Sequence, residues 1–258
     1  MKKVLRITLI VAAFCLLSLL CCVIFGMNSK RLSQLTCAGL NVEFTDGLEF
    51  MTEDDVEGYL NKEYGAYIGQ RLDSVDLMKV EKIICGKGVV LKAEAYTTPD
   101  GVLNIRITQR MPVLRLHKNG LDFYADKDGY IFPLKKGNAP EVMDVEGALP
   151  LEISACYKGK PKTEKESEWL EGVIGLLDYM DRTGIWKRNI GRITVRQDGD
   201  IVLHPVEGKE SFIFGKPDGY ESKFDKIERY YTTILPAKGA GYYSTVNVKY
   251  DGQIVCRK

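Results

Sequence analysis

The sequence predicts an α+β protein with a single N-terminal transmembrane helix, a βααββ module, and then a mixed β-sheet domain with two helices. Three observations carry this. An uncharged run from Ile7 to Gly26 follows the basic residues Lys2, Lys3 and Arg6. Between residues 37 and 110, two stretches of helical period lie between one alternating stretch and a later pair of them. Beyond Pro112 the chain is mostly short alternating runs separated by glycine turns, with two strong helical patterns among them.

Composition is globular: 258 residues, 45% hydrophobic and 28% charged, with 36 Lys and Arg against 35 Asp and Glu. These values exclude a wholly disordered, collagen-like or polytopic membrane chain. The near-zero charge argues against a nucleic-acid binder. Residues 1–6 read as a cytoplasmic tail and residues 7–26 as the span. At about 1.5 Å per residue that span is roughly 30 Å long, the thickness of a bilayer core. A cleaved signal peptide has a shorter apolar core and a small-residue cleavage site, and neither is present. A lipoprotein reading through Cys21 or Cys22 meets apolar residues continuing past both. The three leading basic residues outweigh Lys30 and Arg31, which puts the N-terminus in the cytoplasm and residues 27–258 outside the inner membrane of a bacterium.

Residues 27–36 form a polar linker. Leu40–Phe44 alternates as a strand. Thr52 caps a helix with Glu53, Asp54 and Asp55 at its positive end; Val56, Tyr59 and Leu60 make its apolar stripe, and Gly65 closes it. A second helix is expected from Ser74 to Cys85, with Val75 and Met78 on its apolar face and Gly86 as its stop. Val89–Tyr96 is the next strand, Thr98-Pro99-Asp100-Gly101 a turn, and Leu103, Ile105 and Ile107 the inward face of its hairpin partner. At Gln109-Arg110-Met111-Pro112 the character changes, because Pro112 interrupts a ladder and restricts Met111. The domain boundary falls here, giving 37–110 and 111–258.

In the second part, Val113–His117 and Leu121–Ala125 flank Lys118-Asn119-Gly120, and Asp126-Lys127-Asp128-Gly129 turns into Tyr130–Pro133. Residues 135–163 read as loop. Thr163 and Glu166 have capping-box spacing at the head of a helix ending near Gly184, with Trp169, Leu170, Val173, Ile174, Leu176, Leu177 and Met180 inward. Strands follow at Ile193–Arg196, Asp200–His204 and Ser211–Phe214. A helix carries Phe224, Ile227, Tyr231 and Leu235. Ser244–Tyr250, the turn Asp251-Gly252 and Gln253–Arg257 close the chain.

No catalytic pattern stands out. His117 and His204 lie in strands away from any nucleophile motif and read as surface or satisfied histidines. Gly86-Lys87-Gly88 lacks phosphate-loop spacing. Asp126–Gly129 lacks the later ligands of a calcium loop. Glu164, Glu166, Glu168 and Glu171 read as a solvated helix face, and Tyr230-Tyr231 and Tyr242-Tyr243 as packing residues. Cys37, Cys85, Cys156 and Cys256 allow three full pairings in an oxidising compartment. With two histidines and no C-x-x-C, structural zinc is not expected. No cofactor is indicated.

Four stretches together resemble the bacterial FtsQ/DivIB cell-division family: the basic head with one span; the strand-helix-helix-strand-strand module opening its first helix with Phe50-Met51-Thr52-Glu53-Asp54-Asp55-Val56; the run from Gly101 through Gln109, Arg110 and Pro112 to Val113, with Phe123–Tyr130 after it; and the ending Val246–Val255. The resemblance implies a POTRA-like domain over 37–110 and an FtsQ-type β-domain over 111–258. It implies a non-enzymatic scaffold at the division septum, in the inner membrane with its domains in the periplasm. Its partners are FtsB-like and FtsL-like single-span proteins and other divisome components, with no nucleic acid or small-molecule substrate. Gln109, Arg110 and Pro112 are the junction motif. In such proteins the last strand offers an edge to a partner strand, here Thr245, Val246, Asn247, Val248, Lys249 and Tyr250, with Gln253, Ile254 and Val255 after the turn. The alternative is an internal strand whose groups are already paired. Cys37 and Cys85 fall at element ends within the module, and a disulfide between them fits the compartment. The competing functional reading is an extracytoplasmic carbohydrate-binding or hydrolytic protein using Tyr and Glu residues. An outer-membrane assembly protein would need repeated modules or a barrel-length series of strands.

Overall fold

A computed structural model describes residues 16–22, 35–134 and 140–258. Residues 16–22 are helical, but most of the expected span 7–26 lies outside the described residues, as do the tail 1–6 and most of the linker 27–36. Among the described residues no helix is long and apolar enough to cross a membrane. The chain forms two compact units, one ending at Gln109 and the other beginning at Arg110.

The first unit is a three-stranded sheet with two helices. β1 (Gly39–Phe44) runs parallel to β3 (Val102–Gln109), which pairs antiparallel with β2 (Val90–Thr97), so the order is β1-β3-β2. The β1–β3 register is marked by Asn41, whose amide donates to Asn104 Oδ1 at 2.9 Å; Asn104 in turn donates to Thr98 Oγ1 at 3.1 Å. These bonds satisfy an amide that is 9% exposed. α1 (Glu53–Glu63) begins at Thr52, which accepts from the Asp55 N–H while the Asp55 carboxylate accepts from the Thr52 N–H. α2 (Leu77–Cys85) starts three residues later than the sequence suggested. Asp76, not Ser74, caps it by accepting from the Lys79 N–H at 2.9 Å, and a 3₁₀ turn (Leu72–Ser74) precedes it. Met78, two residues before Val80 and so on the opposite helix face, is 78% exposed, and Val80 and Ile84 are the buried pair. They join Val56, Leu60, Val42, Ala93, Leu103, Ile105 and Ile107 in the unit's interior.

The expected Cys37–Cys85 disulfide is corrected: both are free thiols. Cys37 is buried inside the unit with its thiol toward the Gly39 carbonyl, whereas Cys85 is exposed at the end of α2.

The second unit is a nine-stranded mixed sheet in the order β12-β11-β10-β9-β8-β7-β4-β5-β6. β4 (Pro112–Lys118), β5 (Leu121–Asp126) and β6 (Ile131–Phe132) form a meander. Asn119 (φ +54°) and Gly120 (φ +75°) make the tight left-handed turn between β4 and β5. β7 (Met143–Gly147) lies in the stretch expected to be loop, yet it sits within the sheet, parallel to both β4 and β8. Only Val145 of its residues is buried, so its apolar signal is slight. Its acidic side chains bond across the sheet instead, Asp144 to Arg115 and Glu146 to Arg192.

α3 (Glu164–Thr183) and α4 (Ile185–Asn189) are followed by β8 (Ile190–Val195), β9 (Ile201–Pro205) and β10 (Ser211–Gly215). The expected helix through Leu235 is interrupted: α5 (Tyr220–Arg229) passes into a π-helical turn (Tyr230–Ile234) and a short α6 (Leu235–Lys238). The chain ends with β11 (Thr245–Asn247) and β12 (Val255–Arg257). Leu170, Val173, Leu176, Met180, Phe224 and Ile227 from α3 and α5 join Leu114, Leu116, Val145, Ile193, Leu203, Phe212, Phe214 and Val246 of the strands in one core. α3 approaches the start of α5 closely: a Cβ on Gly172 would lie 2.9 Å from the Pro217 carbonyl oxygen, and Tyr220 donates its hydroxyl to the Gly172 carbonyl at 2.8 Å.

The residues of the junction motif fasten their own units. Gln109 donates through its carboxamide to Asp46 and to the Leu48 carbonyl (2.7 Å), and accepts from the Phe50 N–H, which ties down the segment between β1 and α1. Arg110 Nη1 donates to Asp126 at 2.7 Å and its guanidinium lies 3.6 Å from the centre of the Tyr130 ring. Asp126 Oδ1 accepts from the Asp128 and Tyr130 N–H groups, closing the β5–β6 turn. Pro112 stands opposite Asp126 next to an irregularity in the β4–β5 register.

Two predictions follow from these buried polar groups. The Arg110 and Asp126 side chains are 14% and 6% exposed. Arg110→Ala strands a buried carboxylate and is expected to cost about 3 kcal/mol in urea unfolding. Adding Asp126→Asn recovers part of that loss. Glu166 is buried, and burial alone would raise its pKa, but bonds from Glu152, Thr163 and Lys162 N–H groups and the Thr163 hydroxyl hold it below the ordinary glutamate value. Its contribution is therefore present above about pH 4.3 and is lost as pH falls further. In pH-dependent unfolding, Glu166→Gln should remove that acid-side slope, and a slope unchanged in the variant would contradict the assignment.

Candidate functional site: the open edge of the nine-stranded sheet

A sheet has two ends, and here they differ. At the β6 end, Ile131 and Phe132 are both fully buried. Ile131 exchanges two main-chain hydrogen bonds with Gly159 (2.8 and 2.9 Å), so that edge is closed. At the other end, β12 pairs with β11 and, among the described residues, with no further strand.

Two main-chain bonds fix which groups of β12 face outward. Ser211 N–H donates to Ser244 C=O and Val248 N–H donates to Ile213 C=O, each at 3.0 Å. In the parallel β10–β11 ladder this turns the N–H and C=O of Val246 toward β10. Thr245 and Asn247 then direct theirs to β12, opposite Arg257 and Val255. Ser244, just before β11, divides its groups: its C=O accepts from Ser211 and its N–H donates to the Arg257 carbonyl at 2.9 Å. Cys256, opposite Val246, consequently points its N–H and C=O away from the sheet. Its side chain is on the core side with fully buried Val246, and burial pushes its thiol pKa up. Arg257 and Lys258 are exposed beside it, with Lys258 Nζ 4.3 Å from the centre of the Tyr242 ring.

This geometry corrects the expected edge. Thr245, Val246 and Asn247 form an internal strand, paired on both sides, because the Asp251-Gly252 turn (Gly252 φ +69°) folds the last residues back outside them. Val248 is buried and its N–H is used. Lys249 is ion-paired to Asp200 at 2.6 Å, and the Tyr250 carbonyl accepts from Lys226. Gln253 is exposed in the connection, and Ile254 packs partly on the core. Of the expected residues, Val255 alone lies on the edge strand. Cys256 and Arg257 were missed, although an Asp-Gly turn between two short alternating runs is the hairpin signal that sets the second run beside the first.

Elsewhere, His117 bonds Asp122 and His204 bonds the Thr194 hydroxyl, each at 2.8 Å; burial, then Arg192, lowers the His204 pKa. Tyr230 is buried edge-on against Phe212. Among the described residues no group of three or more His, Cys, Asp or Glu is placed to hold a metal ion.

Comparison with known proteins bears on both units. Residues 35–108 match the family model for the POTRA-like domain. Residues 111–257, more than half of the chain, match the model described as FtsQ/DivIB, C-terminal related. No curated protein matches the chain. A POTRA-like unit followed by a sheet that carries the FtsQ/DivIB C-terminal pattern over nearly its whole length places this chain in the FtsQ/DivIB family.

Proposed function

We propose that this protein is a non-enzymatic scaffold of the bacterial division machinery that receives a strand from an FtsB-like partner, itself paired with an FtsL-like protein, on the open edge of β12. Residues 7–26 anchor it in the inner membrane at the septum, with the N-terminus cytoplasmic and both units in the periplasm. The family supports the division role. The observation that carries the binding mode is the outward N–H and C=O of Cys256 on an edge that no described residue covers. An exposed pair of this kind is a template for main-chain pairing, and a partner strand satisfies it. The opposite edge is closed by Gly159, which gives the addition one direction. With only Val255–Arg257 in the edge strand, main-chain bonds are few, so side-chain contacts must supply selectivity. Exposed Arg257 and Lys258 favour a strand bearing carboxylates, and capture should weaken with salt.

The experiment is capture of the organism's FtsB/FtsL-like pair by the full-length protein in detergent. Cys256→Pro removes an outward N–H without touching the β11–β12 ladder, a position where sheets tolerate proline. It should stay folded and lose about tenfold or more in affinity, the worth of a main-chain bond plus a blocked register. Cys256→Ala controls for the thiol and should bind as wild type. Undiminished capture by a folded Cys256→Pro protein would refute strand addition at this edge.

A further inference from the structure

The second unit contains a cavity of about 630 Å³ that the strand-addition reading does not use. Its wall is aromatic: Phe224 lies between Trp186 (ring centres 4.7 Å apart) and Tyr179 (5.3 Å), both stacked on it, and Tyr231 lies alongside. Its rim carries two apolar side chains that stand in solvent, Ile185 at 57% and Val206 at 63% exposure. A volume of this size is in the range of small-ligand and side-chain pockets.

Charge sets what the cavity favours. Glu207, Asp225 and Glu228 line it against one cation, Arg188. Asp225 and Glu228 belong to a row on α5 that starts at Glu221, spaced four and then three residues apart, so three like charges stand on one helix face. Such a row costs helix stability unless cations intervene. The lysines of α5 do not: Lys223 is buried against the Lys216 carbonyl and Asp218, and Lys226 donates to the Tyr250 carbonyl at 2.7 Å. Arg229, one turn beyond Asp225, makes no ion pair among the described residues, nor does Arg188. The neighbouring cations Arg182 and Lys187 are already paired with Asp178 and Asp181. The Tyr179 phenol pKa is raised by burial first and then by Glu221, Asp225 and Glu228, against an opposing effect of Arg182. The carboxylates are all solvent-exposed, whereas the general acid of a sugar hydrolase is held in a desolvated, apolar site.

We propose that this cavity docks a basic side chain, arginine or lysine, presented between apolar residues by a partner protein. The cation lies by the aromatic wall and the α5 carboxylates, and its apolar neighbours cover Ile185 and Val206. This is a second binding site, independent of the β12 edge.

The test uses the full-length protein in nanodiscs of uncharged lipid and reads tryptophan fluorescence, since the chain has two tryptophans and Trp186 forms part of the cavity wall. The probe is a blocked pentapeptide of alternating leucine and arginine, compared with the same peptide carrying citrulline, which keeps the shape and loses the charge. The arginine peptide should give a saturable change and bind about tenfold or more tightly than the citrulline peptide. Asp225→Asn with Glu228→Gln, both exposed changes, should leave the unfolding midpoint near wild type and weaken the arginine peptide about tenfold. Cys256→Pro should leave this binding unchanged. Equal affinity for the two peptides, indifference to the double substitution, no saturable response, or a response to an N-acetylglucosamine oligomer in place of the arginine peptide would each overturn the proposal.

Discussion

β11 is a three-residue strand held between neighbours of opposite sense, β10 parallel and β12 antiparallel. Because a residue within a regular ladder points both main-chain groups the same way, the parallel β10–β11 register and the Val248 to Ile213 bond determine the facing of each residue of β11 and β12. Ser244, just outside the strand, divides its groups between β10 and β12. Val246 is committed inward, Thr245 and Asn247 to β12, and Cys256 outward. The outward main chain of the edge thus follows from ladder alternation, with no special residue chemistry needed. A cysteine suits the position because its small apolar side chain packs against Val246 while its main chain stays available.

An edge is useful to a partner only if it is rigid, and the rest of the second unit supplies that rigidity. α3 and α5 seal one face of the sheet with a core that reaches Val246 and, at its margin, Cys256. Buried or half-buried polar side chains then fix the connections: Arg110 and Asp126 the β5–β6 turn, Glu166 the entry to α3, Lys226 the segment at Tyr250 that leads to β12. Lys226 is instructive, since burial lowers its pKa against the opposing charge of Asp251, and its ammonium donates to the Tyr250 carbonyl. Removing both lysines of α5 from its outer face leaves the acidic row uncompensated, so the same packing that steadies the edge sets the character of the aromatic cavity.

Elements with strong local signals were legible in the sequence. The N-cap at Thr52, the capping box at Thr163, the turns at Gly101, Asn119-Gly120 and Gly129, and the apolar stripe of α3 all depend on contacts within a few residues. What escaped was set by long-range pairing. β7 has one buried residue, Val145, and exists as a strand because β4 and β8 flank it. The start of α2 was placed at Ser74, whereas a 3₁₀ turn occupies Leu72–Ser74 and the Asp76 carboxylate caps the helix beyond it. The edge was placed one strand too far in, because a sequence shows where strands lie along the chain and not which pair on both sides. The Asp251-Gly252 turn held that information only jointly with the position of β10. The cavity was not legible at all: Tyr179, Trp186, Phe224 and Glu228 come from three helices, and no spacing connects them.

Among the described residues the main chain of Cys256 is unpaired and faces outward, while its two neighbours are bonded inward. Residue-resolved amide hydrogen exchange on the protein without its partner measures this directly. The Cys256 amide should exchange much faster than those of Val255 and Arg257, giving an alternating pattern along β12. Protection at Cys256 with rapid exchange at Val255 and Arg257 would show that the strand faces the other way and would contradict the account.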